Sequence, residues 1–168
     1  MGVIVPYNPL DKMSLAESIE RALSAEKPVA LESMRESKNA FAGAGVYALY
    51  YRGSFPAYER LAICNKAVLE APIYVGKADS KGRRKGGFLD EGLAGKTLWS
   101  RLRDHAQSIV QADNLDVGDF SCRFIVVDDL WVSLGESLLI SKYAPVWNTI
   151  VDCFVFGIGI RAVFEGMR

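Results

Sequence analysis

Two short uncharged runs, GVYALYY at residues 45–51 and PIYVG at 72–76, constrain the fold of this chain most strongly. Each sets a tyrosine close to glycine inside an apolar run, and both read as strands, over residues 46–51 and 72–77. In the first, alternation places Tyr47, Leu49 and Tyr51 on one face and Val46, Ala48 and Tyr50 on the other. A third run rich in strand-forming residues spans Phe120 to Val127. Helical patterns surround these strands. Ser14 and Glu17 have the spacing of a capping box, and Leu15, Ile19 and Leu23 recur at helical intervals until Pro28. An irregular stretch follows to about Gly45, then a helical segment at 57–69. Residues 97–111 and 130–143 read as two further helices, the second ending before Pro145 because a residue preceding proline avoids the helical region. Helices mixed with three short strands predict an α/β (α+β) domain built on a small sheet.

The 168 residues show no internal repeat and no linker long enough to divide them, so the expectation is a single domain. Half the residues are hydrophobic and 24% charged, which excludes wholesale disorder. The formal net charge is zero, but its distribution is uneven. Lys77, Lys81, Arg83, Arg84, Lys85, Lys96, Arg101 and Arg103 face only Asp79, Asp90 and Glu91 within the same stretch. Residues 79–96 show no sustained period and read as a long basic loop, suited either to holding a polyanion or to simple solvation. Cys64, Cys122 and Cys153 have no paired spacing, as expected of reduced thiols inside a cell. The start, MGVIVPYNPLDKM, lacks the basic region and apolar length of a secretion signal. No run approaches a membrane span, so the chain reads as soluble and cytoplasmic.

Three motifs carry chemistry. GLAGKT at 92–97 ends like a phosphate-binding loop, but the pattern needs glycine where Asp90 stands, so it is set aside. On the 97–111 helix, Leu98, Leu102, Ala106 and Ile109 form the core face, and Arg101 and His105 lie one turn apart along its edge. His105 is the only histidine. Beside an arginine it is suited to binding phosphate and handling a proton, although a lone histidine also serves as a surface or core residue. Glu136 stands among Leu134, Leu138, Leu139 and Ile140, where a carboxylate must be exposed, paired or holding a metal. A single carboxylate fits one hard cation such as Mg²⁺; the cysteines and one histidine form no zinc ligand set.

Taken in order, GVY, YVG, LWSRLRDHA, LGESLLI and APVWN resemble the GIY-YIG nuclease superfamily over residues 45–148, with isoleucine replaced by valine in both named tripeptides. The compact form is similar to the type II restriction-endonuclease branch, and most similar to members that cut CCGCGG. The resemblance implies that the three-stranded sheet is antiparallel and flanked by helices, with residues 1–44 as a helical N-terminal extension. It implies that Tyr47 acts on the attacking water, with His105 accepting its proton. Tyr74 would orient the scissile phosphate and Arg101 neutralise its developing charge. Glu136 would hold one Mg²⁺, replaceable by Mn²⁺, and Asn148 would fix a phosphate or brace the groups that do. Lys77, Arg83, Arg84 and Lys85 would hold double-stranded DNA. A palindromic site implies a homodimer, and a bacterial restriction system implies a cognate DNA methyltransferase as genetic partner.

One stretch departs from the pattern. After Asn148 the chain reads TIVDCFVFGIGIRAVFEGMR, which keeps FGIG but lacks the branch's histidine and proline. This atypical tail, 149–168, leaves a DNA-binding module with a weakened site as an alternative. A repair or mobile-element nuclease of the same superfamily is another.

Overall fold

The computed structural model describes residues 11–80 and 95–150. Arg83, Arg84, Lys85, most of the basic loop, the start of GLAGKT and the tail beyond Ile150 lie outside the described residues.

The strand at Gly45–Tyr51 (β2) is the structural centre. All seven of its residues are buried, because it pairs on both sides and is covered on both faces. It runs antiparallel to Tyr74–Ala78 (β3) on one side and to Phe120–Val126 (β4) on the other. The alternation read from the sequence holds in three dimensions. Tyr47, Leu49 and Tyr51 enter one core with Leu98, Leu102, Ala106, Ile109 and Trp147. Val46, Ala48 and Tyr50 enter a second with Leu23, Val75 and Leu139. Two cores on one small sheet explain how short strands bury enough apolar surface to stay ordered.

The sheet has four strands in the order β1-β4-β2-β3, which corrects the expected three. The extra strand, β1, is only Val29–Ala30, paired to Cys122 and Ser121 of β4. Two residues cannot display a period-two pattern, so nothing in the sequence marks them as a strand. The N-terminal segment is therefore part of the sheet as well as a helical extension. Its helix α1, Lys12–Ala25, is capped by Asp11 and not by Ser14. The Asp11 carboxylate accepts from the amides of Met13 and Ser14, and the Ser14 hydroxyl itself donates to it. A carboxylate one turn earlier thus supersedes the capping box.

The segment expected to be helical over 57–69 is a 3₁₀ turn at Pro56–Tyr58 followed by a short α2, Glu59–Cys64. The two long helices follow their apolar patterns closely. The first, α3, is Thr97–Val110 and buries Leu98, Leu102, Ala106 and Ile109. The second, α4, is Asp129–Tyr143, with Asp128 accepting from the Leu130 amide at its start. Helix α4 lies against β2 with Gly135 at the contact, where an added Cβ would meet Val46 Cγ1 at 3.3 Å. The helix ends at Ala144, held in the left-handed conformation (φ 42°) ahead of Pro145. A five-residue helix α5, Val146–Ile150, follows and carries Asn148. Cys64 is exposed and Cys122 buried, both as free thiols.

Candidate active site

Strand register assembles the site. Tyr47 of β2 stands opposite Gly76 of β3, and Gly76 leaves the space that the tyrosine ring fills. A Cβ at Gly76 would lie 2.6 Å from both Cζ and the hydroxyl of Tyr47, and 2.7 Å from Cε1 of Tyr74. No side chain larger than hydrogen fits there without moving one of the two rings. Gly76 thus makes the room that Tyr47 occupies, a relationship that strand register reveals and sequence spacing alone did not assign.

Helix α3 covers this face and delivers His105. The Tyr47 hydroxyl and His105 Nε2 are 2.9 Å apart, a hydrogen bond between residues far apart in sequence. With the imidazole proton on Nδ1, the hydroxyl donates and Nε2 accepts. The ring centroids of Tyr47, Tyr74 and His105 form a triangle with sides of 6.0, 4.9 and 5.6 Å. Tyr47 is 1% exposed, while Tyr74 and His105 are half-buried and Arg101 is exposed; for Arg101 and His105 this matches the edge of the helix core face expected from the sequence. Arg101 makes no ion pair among the described residues, yet its charge acts on all three rings.

The electrostatics follow from this packing. Burial pushes the Tyr47 hydroxyl well above its ordinary value near 10, the neighbouring Tyr74 adds to this, and Arg101 opposes it. Burial likewise raises Tyr74, with Glu136 adding to the shift. His105 moves the other way, down to about 4, chiefly because desolvation penalises the cation, with Arg101 contributing and Asp104 opposing. His105 keeps some solvent exposure, but the aromatic rings and Arg101 around it make a second positive charge unfavourable. At neutral pH the pair is a neutral phenol hydrogen-bonded to a neutral imidazole.

Glu136 comes from α4, on the face of the sheet opposite α3, where it meets Lys77 of β3, and its charge acts on Tyr47 and Tyr74. Its carboxyl is raised above the usual carboxylate range by burial, against the pull of Lys77. Lys77 Nζ lies 3.4 Å from Glu136 Oε2, 3.8 Å from Asp79 Oδ2, and donates to Ser133 Oγ at 2.8 Å. The lysine thus contacts the carboxylate expected to hold a cation. Ser133, one turn before Glu136, is a further contributor that no sequence motif announced. Among the described residues no three His, Cys, Asp or Glu side chains cluster as a metal set. A half-buried carboxylate, with the more exposed Asp79 on the same lysine, fits a hard divalent cation that takes its remaining ligands from water and phosphate oxygens, and does not fit zinc.

Asn148 braces the site from behind. Its Oδ1 accepts from the Val75 amide and its Nδ2 donates to the Val75 carbonyl, each at 2.8 Å. Of the ten candidate residues, Tyr47, Tyr74, Arg101, His105, Glu136, Asn148 and Lys77 therefore gather around β3 and its neighbours. Arg83, Arg84 and Lys85 lie outside the described residues. No helix among the described residues is long and apolar enough to cross a membrane.

Residues 39–159 match the family model described as the Eco29kI GIY-YIG domain, a span that includes every element bearing these side chains. No curated protein matches the chain.

Proposed function

The chain belongs to the GIY-YIG family, in the Eco29kI restriction-endonuclease branch, and from that premise we propose that it cuts both strands of DNA at a short palindromic site with the help of Mg²⁺. A nuclease domain acts on phosphodiesters, and the finer reading rests above all on one observation, the 2.9 Å contact between Tyr47 and His105.

The contact supports a proton relay. A phenol raised well above 10 cannot wait as phenolate. It can take a proton from the attacking water while passing its own to His105 Nε2, so that no buried charge forms on the phenol. An imidazole held near 4 is a weak acceptor by itself. The negative charge of a bound phosphodiester would raise it and favour the imidazolium once formed. Tyr74, its ring against both partners, would orient the phosphate, and Arg101 at the exposed rim would neutralise charge growing on the phosphoryl oxygens. Glu136 would hold Mg²⁺, whose chemistry is to stabilise the leaving oxygen. Lys77, which here pairs with Glu136, would hold the DNA backbone. The sequence resemblance favours CCGCGG as the site, a homodimer with one active site per strand, and a cognate methyltransferase.

Plasmid cleavage with Mg²⁺ tests this reading, with Tyr47→Phe and Glu136→Ala in parallel. Wild type should linearise plasmid at discrete sites, and both variants should be slowed at least about a hundredfold. A wild type that binds duplex without cutting it would reduce the chain to a DNA-binding module. Cutting at full rate by both variants would remove the assigned roles.

A further inference from the structure

GLAGKT is not a nucleotide motif, yet its threonine is buried and hydrogen-bonded at a mechanically significant place. Thr97 is the first residue of α3 and is 8% exposed. Its hydroxyl donates to the Gly43 carbonyl at 3.0 Å, and the Leu98 amide donates to the same carbonyl at 3.1 Å. The residue before the helix, Lys96, supplies no side-chain cap. The start of α3 is therefore secured by Gly43, just ahead of β2.

Gly43 is itself fixed. Its φ of 139° is a conformation that favours glycine, and a Cβ there would lie 2.8 Å from both γ-methyls of Val126. Its amide donates to the Gly95 carbonyl. From this lock the chain enters β2 on one side and α3 on the other, and among the described residues the two elements meet again at the Tyr47–His105 hydrogen bond. Along the strand, Gly43 to Tyr47 is four residues, about 13 Å at strand rise. Along the helix, Thr97 to His105 is eight residues, about 12 Å at helix rise. The two spans match, so a helix pinned at Gly43 presents His105 level with the Tyr47 hydroxyl. Leu98, Leu102 and Ala106, all fully buried, fill the space between.

We propose that Thr97 is a positioning residue whose hydroxyl, with the Leu98 amide, locks α3 to Gly43 and so sets the Tyr47–His105 contact. The Leu98 amide alone ties the helix end to Gly43 by one bond. The Thr97 hydroxyl adds a second from the neighbouring residue, and the Gly43 amide to the Gly95 carbonyl a third at a separate point, so that the end is held at more than one place. The inference rests on the proton-relay reading for its effect on rate, but not for its geometry.

The test compares Thr97→Val, which keeps shape and removes the donor, with Thr97→Ser, which keeps the donor. His105 is the only histidine, so its ring-proton resonance can be titrated without ambiguity. The groups facing it are Tyr47, Tyr74, Arg101 and Asp104. Thr97→Val should lower kcat about tenfold at unchanged KM for DNA, and should move the His105 titration midpoint from about 4 toward 6.5 as water gains access. Thr97→Ser should restore both. If Thr97→Val does not fold, Thr97→Ala takes its place. A folded donor-less variant with the wild-type midpoint and rate overturns the lock. A wild type that never cuts DNA instead removes the nuclease reading, and the titration alone then decides whether Thr97 sets the contact.

Discussion

Asn148 holds Val75 by both polar atoms of its side-chain amide, receiving one hydrogen bond and giving the other at 2.8 Å each. Val75 is the second residue of β3, between the ring of Tyr74 and the gap at Gly76. On its outer edge β3 has no neighbouring strand among the described residues, so this amide stands in for one. Asn148→Asp replaces the donor with an acceptor facing the Val75 carbonyl. It should destabilise the fold by about 1–3 kcal/mol, comparable to leaving a buried carbonyl unsatisfied. Urea unfolding with an unchanged m-value would register that loss, and cleavage should fall with it because Tyr74 moves with β3.

Gly76→Ala tests the space that Tyr47 occupies. Its methyl would sit 2.6 Å from the Tyr47 ring and hydroxyl and 2.7 Å from Tyr74 Cε1, so the packing of these two rings with His105 must change. Overpacking of this kind costs about 1–3 kcal/mol. The expected result is a folded protein of lower Tm whose cleavage is reduced at least about a hundredfold. Full activity in that variant would mean that the Tyr47 position is not critical.

His105 makes stability depend on pH. Its folded value, about 4, lies below the ordinary 6.5, so between these values the unfolded chain binds the proton and the folded one does not. Stability is therefore greatest above pH 6.5 and falls as pH drops through 6.5 toward 4. His105→Gln should flatten this part of the curve. The check is the difference between wild-type and variant urea midpoints at pH 7, 6, 5 and 4.5; a constant difference would count against a depressed histidine.

Lys77 competes with any cation for Glu136. The 3.4 Å ion pair must open for a metal ion to bind the carboxylate from that side. Lys77→Met should tighten Mn²⁺ binding by about three- to tenfold, the scale of a partly exposed charge pair. It should also weaken DNA binding at low salt. Calorimetric titration of Mn²⁺ without DNA measures the first effect apart from catalysis, and weaker Mn²⁺ binding would show that Lys77 supports the site instead of contesting it.

Elements with a full apolar period were legible in the sequence. Helix α3 begins at the expected residue and buries the four expected side chains, and the two faces of β2 separate as alternation requires. Elements set by tertiary contact were not legible. Val29–Ala30 becomes a strand only because β4 offers an edge, and α5 forms only where Trp147 and Asn148 meet β3. The Asp11 cap was hidden because two acceptable caps stood three residues apart. At the site, the residues of Tyr47, Tyr74, Arg101 and His105 could be named from order and spacing. The Lys77–Glu136 pair could not, since it joins a strand to a helix far along the chain, on the face of the sheet that α4 covers.

The proton relay is assigned to the most enclosed strand of the molecule. Every residue of β2 is buried and it is paired on both sides, so its amides should exchange with solvent only when the whole fold opens. DNA cannot tune this centre by bending the strand that carries Tyr47. If the proposed cleavage is sequence-specific, adjustment to a correct or incorrect sequence falls to what surrounds β2: the edge strand β3 and helices α3 and α4. Attempts to redirect that preference should then spare β2 together with Tyr74, Gly76, Thr97, Arg101, His105 and Glu136, and change the other positions of those elements.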